Sequence, residues 1–188
     1  MSWKEVDKKT GESADKQEYT KFAEGNTMIR ILDDEPYSFW QHWMPDLKRG
    51  VTCIGKDCPI CNVIRAQKAN KETPKYNSTQ RHAIRIFNKT TNRMEIMIQG
   101  KSFFGQLLTL HNEVGDLKTF DIKVVRKGGD TNTVYMMFPS QPSALSQTEL
   151  DAITEIDISS GLQAPTAEQM VGLMEGKSYD EVFGSKDE

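Results

Sequence analysis

Apolar positions along the chain fall into short alternating runs broken by polar turns, and only a few stretches switch to helical spacing. From Thr27, the residues Met28, Ile29, Ile31 and Leu32 predict a strand. The turn Asp33-Asp34-Glu35-Pro36 ends it, and YSFWQHWM (37–44), rich in aromatics and partly alternating, predicts a second strand. HAIRIFN (82–88) and RMEIMIQ (93–99) flank Lys89-Thr90-Thr91-Asn92 and predict a strand pair. FDIKVVRK and NTVYMMF flank Gly128-Gly129-Asp130-Thr131, a hairpin signal. Helical spacing appears at 62–70 and again where Ser102 can cap a helix burying Phe103, Leu107, Leu108 and Leu110 and ending near Gly115. Residues 71–80 (KETPKYNSTQ) are polar and predict a surface connection. The pattern is mainly β, with five or six strands and small α additions. A helix before the last strands fits the oligonucleotide-binding (OB) fold, a five-stranded Greek-key β-barrel.

The two ends differ from this body. Residues 1–25 alternate charges without an apolar period and read as an N-terminal arm, in which Trp3, Tyr19 and Phe22 could dock. The core spans 26–140, with the metal loop at 42–70. Residues 141–175 open on the linker QPSALS and carry helical patches at 147–156 and 166–174, the second started by Pro165 and Thr166. Residues 176–188 form an acidic tail with Tyr179 and Phe183.

Charge sharpens the division. Residues 1–25 hold 5 Lys/Arg against 6 Asp/Glu, 26–140 hold 17 against 11, and 141–188 hold 2 against 10. A net −3 therefore conceals a +6 body and a −8 C-terminal segment. A basic body with an acidic end is a pattern of nucleic-acid binding. No membrane-spanning apolar run and no signal peptide are present, so the chain is expected in the cytoplasm, where thiols stay reduced.

All three cysteines, Cys53, Cys58 and Cys61, lie within nine residues, and His42 precedes them. Cys58-Pro59-Ile60-Cys61 is a C-x2-C knuckle, which places two sulfurs on one metal without strain. Three thiolates and one imidazole fill a tetrahedral zinc sphere and leave no position for water, so the expected cofactor is one structural zinc ion. Buried apolar cysteines would not cluster among Lys48, Arg49, Lys56 and Asp57. An odd count disfavours a disulfide framework, and a redox dithiol belongs at a strand-to-helix turn of a βαβ unit. His111-Asn112-Glu113 resembles a zinc-deaminase motif, but no cysteine pair follows it. His82 and His111 are the alternatives for the fourth ligand.

Single-stranded nucleic acid needs cations along its phosphates and flat rings under its bases. Both types are interleaved here. The candidate contacts are Tyr37, Trp40, Trp43, Lys48, Arg49, Lys75, Tyr76, Arg81, Arg85, Lys89, Arg93, Lys101 and Tyr135, with Arg30 among the neighbouring cations. Phe87, Phe103, Phe104, Phe120 and Phe138 are expected in the core. Strand alternation sends Trp40 and Trp43 to opposite sides, so one of them serves as a platform. No phosphate-cradling Gly-rich loop, nucleophile elbow, H-E-x-x-H or clustered acidic set is present, and no enzyme activity is expected.

The order of an aromatic strand with His42, the CIGKDCPIC loop, the VVRKGGDTNTVYMMF hairpin and an acidic tail resembles the helix-destabilising single-stranded DNA-binding proteins of tailed bacteriophages. The likeness covers about residues 26–140. It implies an oligonucleotide-binding barrel with a zinc subdomain held by one His and three Cys. It also implies coating of single-stranded DNA in replication, recombination and repair, with copy-to-copy contacts on the DNA. The acidic C-terminus is then expected to recruit replication and recombination proteins and to cover the groove when DNA is absent. The family's basic N-terminal arm corresponds here only to Lys8-Lys9-Thr10. Two other readings use the same residues: an RNA-binding regulator, and a protein-interaction adaptor built on the zinc loop and acidic tail.

Overall fold

The computed structural model describes residues 19–129, 132–162 and 164–184. Lys8-Lys9-Thr10, Trp3, most of the hairpin turn at 128–131 and the last four residues of the tail fall wholly or partly outside the described residues. Seven strands form one antiparallel sheet: β1 (Gly25–Ile31), β2 (Tyr37–Met44), β3 (Arg49–Thr52), β4 (Asn77–Asn88), β5 (Arg93–Gly100), β6 (Phe120–Lys127) and β7 (Val134–Pro142). Six helices accompany them: α1 (Pro59–Ala69), α2 (Lys101–Val114), α3 (Gln147–Asp151), α4 (Ile158–Gly161), α5 (Ala167–Met174) and α6 (Tyr179–Phe183).

β1 and β2 lie end to end along one edge of β4. Ile31 pairs with Ile86 and Tyr37 with Ala83, so 32–36 oppose only two residues of β4. The extra length bulges out at Asp33-Asp34-Glu35-Pro36. Asp33 fixes the bulge by accepting from the Arg85 backbone N–H and Nε, each at 2.7 Å, with Arg85 Nη2 at 2.6 Å. β6 and then β7 continue the sheet beyond β1, β3 continues it beyond β2, and β5 pairs with the other edge of β4.

The mainly β expectation holds, but the sheet is open and has seven strands instead of a closed set of five. β5 is met on its outer side by Tyr19 and Thr20, whose backbone N–H donates to Ile96 O at 2.9 Å, and among the described residues by no other strand. β7 is an edge strand that contains Pro139 and ends at Pro142, residues with no N–H to offer a neighbour. Two strands depart from the sequence pattern. β3 lies within the metal loop, and β4 begins at the polar Asn77 because its ladder to β2 runs down to Trp43. A Cβ at Gly50 would meet the end of the Gln41 side chain.

Alternation along β4 separates two faces. Ile84 and Ile86 face the main core, where Ile29, Ile31 and Ile122 meet Phe103, Leu107 and Leu110 of α2. Leu108 is not on that face and is exposed. Helix α2 starts one residue before Ser102, and Gly100 is its N-cap without a side-chain bond. Phe22, expected in the arm, is buried in this core, so the chain is attached to the body before residue 25. Phe138 is exposed at 46%, against the expectation of burial, because Tyr135 and Met137 take the core-facing parity of β7.

The opposite face is overlaid by the C-terminal extension. Arg30 is 1% exposed and fully engaged: its Nε donates to Asp121 at 2.8 Å, and its two Nη groups donate to Lys118 O and to Ser143 O and Oγ. Ile156, Ile158 and Leu162 pack against Phe39, Ala83 and Ile96. The helix expected over 147–156 is only five residues long; beyond it the chain extends so that Ile156 reaches this apolar strip.

Lys89 ties the extension down, with Asp121 and Glu149 carboxylates both at 2.9 Å. Glu149 also closes the capping box of α3 with Ser146. The Lys89 ammonium, then the Ser146 N–H and hydroxyl, hold the Glu149 carboxyl at about 2, below its usual 4.5. A carboxyl depressed in the folded state stabilises above its unfolded value and loses that contribution as pH falls through its folded value. Docking of residues 146–151 is therefore expected to weaken between about pH 4.5 and about 2. The protection factors of this segment, taken against the intrinsic exchange rate at each pH, are expected to fall across that window in the wild type and to show no such step in Glu149→Gln; equal pH profiles would contradict the assignment.

Candidate metal centre and aromatic strand

The metal centre is assembled from β2, the loop after β3 and the start of α1. His42 faces inward from β2, whose register with Val51 of β3 brings the loop back beneath the imidazole. Cys53 follows β3, and its N–H donates to Trp40 O at 2.8 Å. Gly55, in the left-handed region at φ 87, turns the chain toward Cys58. Cys58 is the N-cap of α1 with Pro59 at the first helical position, so the helix begins on a ligand and starts earlier than the apolar spacing predicts.

The four ligand atoms lie within 4.8 Å of one another. Cys53 Sγ is 3.6 Å from Cys61 Sγ, and His42 Nε2 is 3.3 Å from Cys58 Sγ and 3.5 Å from Cys61 Sγ. Tetrahedral zinc, with Zn–S about 2.3 Å and Zn–N about 2.0–2.1 Å, sets sulfurs about 3.8 Å apart and sulfur about 3.5 Å from nitrogen. The donor set fits such an ion. The surroundings suit negative sulfur as well: Gly55 N–H points to Cys53 Sγ at 3.4 Å, and Cys61 N–H to Cys58 Sγ at 3.5 Å. His42 Nδ1 is buried and meets no partner at full hydrogen-bond geometry, while the nearby Asn77 backbone partly offsets the burial of the ring.

Burial lowers the His42 pKa and so favours the neutral, ligating imidazole. Burial also raises the Cys53 thiol, and it pushes Cys61 up to about 12, with the neighbouring Cys53 and Cys58 sulfurs adding to the shift. Metal uptake must then displace protons, and affinity falls as pH falls. His82 and His111 are excluded as ligands by position: His82 Nδ1 shares a hydrogen bond with Ser38 Oγ at 2.8 Å, and both histidines line a groove beside α2. Among the described residues, the cluster of His42, Cys53, Cys58 and Cys61 is the one group of ligating side chains that could hold a metal ion.

The strand that supplies His42 also carries three exposed rings. Tyr37, Trp40 and Trp43 are 44%, 53% and 46% exposed. Tyr37 stacks on Phe39 at 6.4 Å between centroids. Strand parity sets Tyr37 and Trp43 on the face shared with Arg81, and Trp40 on the other.

The remaining candidates divide. Lys48, Arg49, Lys75, Arg93 and Lys101 are exposed. Lys75 pairs with Asp46 at 2.8 Å, and Arg49 lies over the Tyr179 ring at 3.7 Å. Arg81 is half-buried, its guanidinium close against Gly100. Tyr76 is 4% exposed and belongs to the core of the metal subdomain, where it cannot serve as a surface platform. Tyr135 packs edge-on against Phe22 and Phe103, Arg85 is held by Asp33, and Lys89 by Asp121 and Glu149. These four side chains are taken up by the fold. Phe138, with Lys123 Nζ 5.2 Å from its centroid, is an exposed cation–ring pair assigned to the core from sequence; its parity is opposite to that of Tyr135 and Met137, which face the core.

Among the described residues no helix is long and apolar enough to cross a membrane. Compared with known proteins, the chain matches no protein-family model, no curated protein and no solved structure.

Proposed function

We propose that the protein is a non-enzymatic single-stranded DNA-binding protein, akin to the helix-destabilising proteins of tailed bacteriophages, and that its metal is a single structural zinc ion. The observation that carries this reading is β2: one strand locks His42 into the ligand cluster and presents Tyr37, Trp40 and Trp43 to solvent. Large rings are usually buried, and exposed ones beside cations, here Tyr37 and Trp43 on one face and Trp40 on the other, suit stacking on unpaired bases. Lys48, just before β3, with Arg49 on β3, Arg81 on β4 and Lys101 at the start of α2, lie around this strand and supply charge for phosphates. The zinc contributes rigidity alone, because its four protein ligands leave no position for a reacting group. In this reading the protein coats exposed strands in phage replication, recombination and repair within the host cytoplasm, and its acidic C-terminus meets replication and recombination proteins.

The test is the salt dependence of binding to a labelled oligo-dT strand. Affinity is expected to fall with salt at a slope near −0.7 per phosphate neutralised. A flat dependence, or a clear preference for the matching RNA strand, would overturn the reading.

A further inference from the structure

We infer that the C-terminal helices α5 and α6 form the outer wall of the metal centre and stay docked only while a metal ion holds its four ligands together, so that metal loading decides whether the acidic C-terminus is tethered or released. The inference rests on the reading of His42, Cys53, Cys58 and Cys61 as a zinc site.

The contact is direct. Met170 of α5 is fully buried, and its Sδ lies 3.3 Å from Cys58 Sγ. Leu173, one helical turn on, enters the same core as Ile60 and Ile64 of α1. A thioether suits this place: it is polarizable, it has no proton to give the thiolate, and it keeps water from the ligand. Met170 is thus a positioning residue for Cys58.

α6 follows α5. Gln169 Nε2 donates to Val182 O at 3.4 Å, and Lys177 N–H to Gly172 O at 3.1 Å. Tyr179 stacks on Phe183 at 4.1 Å and lies under the guanidinium of Arg49, four residues before Cys53. The two helices therefore touch the metal centre on two sides, at the Cys58 turn and at β3.

Neither helix can persist alone. α5 has eight residues and α6 five, well under the length at which isolated helices are stable in water. Their order depends on the surface beneath them, which is α1 and β3. That surface depends in turn on the ligands: α1 begins at Cys58 and holds Cys61, and β3 runs into Cys53. Without metal the loop is held to β2 by the β2–β3 pairing and the Cys53 N–H to Trp40 O bond, and the Cys58–Cys61 turn lacks the ion that ties it to His42. That turn and the helices docked on it then open as one unit. Release carries Asp180 and Glu181 away from the basic body and uncovers Arg49.

The experiment uses the full chain, first with its zinc content measured and then with zinc removed by a chelator, and follows hydrogen exchange by peptide. Residues 167–183 are expected to lose protection at the same chelator concentration as 53–69, while 84–86 and 122–124 in the main core keep theirs. Continued protection of 167–183 after zinc has left would overturn the inference, as would equal openness of that segment before and after. A second measurement uses Met170→Gln, expected to speed zinc transfer to a chromophoric chelator by about tenfold, the lower end for outer partners of a metal site. Met170→Leu is expected to stay near the wild-type rate; equal rates for Gln and wild type would count against the role. A chain that binds no zinc would remove the metal reading and this inference with it. One zinc per chain with unchanged exchange removes the inference alone.

Discussion

Cys58→Ser is expected to strip the metal and to open residues 42–70 while leaving the main sheet folded. Cys58 contributes at three levels. Its sulfur is one of the four clustered ligand atoms, the same sulfur caps α1 by accepting from Cys61 N–H, and its buried position is covered by Met170. Serine supplies a hydroxyl that can cap α1 in place of the sulfur, so the loss is chiefly that of the metal bond. Apparent binding energies of structural zinc are about 10–16 kcal/mol, as large as the whole stability of many domains. The loss stays local because the main core, with Ile29, Ile86, Met97 and Phe103, is a separate cluster from the one holding Cys58. Mass spectrometry of the native protein and a melting curve check it. The expected result is no bound metal and an early transition ahead of the main one. Stoichiometric metal with an unchanged melting point would show that Cys58 is not a ligand.

The second large effect concerns the rings. Tyr37 and Trp43 share a face of β2, six residues apart, which is about 20 Å along a strand. Base–aromatic stacking is worth about 1–3 kcal/mol per base. The double variant Tyr37→Ala/Trp43→Ala is therefore expected to lose about 2–6 kcal/mol of single-strand affinity, or about 30-fold and upward. Because both rings are exposed, its melting point is expected to stay close to wild type. Trp40→Ala, on the opposite face, is expected to cost less. Wild-type affinity in the double variant would remove both rings from the binding surface.

Much of this was legible in the chain. Alternation placed β1, β2, β5, β6 and β7, and the cysteine spacing named three of the four atoms that come together, with His42 preferred over His82 and His111 for the fourth. What could not be read was long-range. β3 is a four-residue strand, RGVT, too short to show an alternation of its own, and it forms by pairing with β2. The polar start of β4 is a strand only because β2 pairs with it. Tyr76 looked like a surface ring because its neighbours are polar, yet it fills the small core beneath Ile60 and Ile64. Arg30, Arg85 and Lys89 counted toward a basic surface, but Asp121, Asp33 and Glu149 reach them from 91, 52 and 60 residues away. The usable cationic surface is thus smaller than the composition suggests. Met170 gave no local signal at all, since its partner Cys58 is 112 residues earlier.

The most direct test of single-strand binding is a titration of intrinsic Trp fluorescence with long oligo-dT, at two salt concentrations, beside the matching duplex. Exposed Trp40 and Trp43 predict strong quenching by the single strand, weaker at high salt, and little response to duplex. Equal affinity for duplex and single strand, or no quenching by either, would contradict the account.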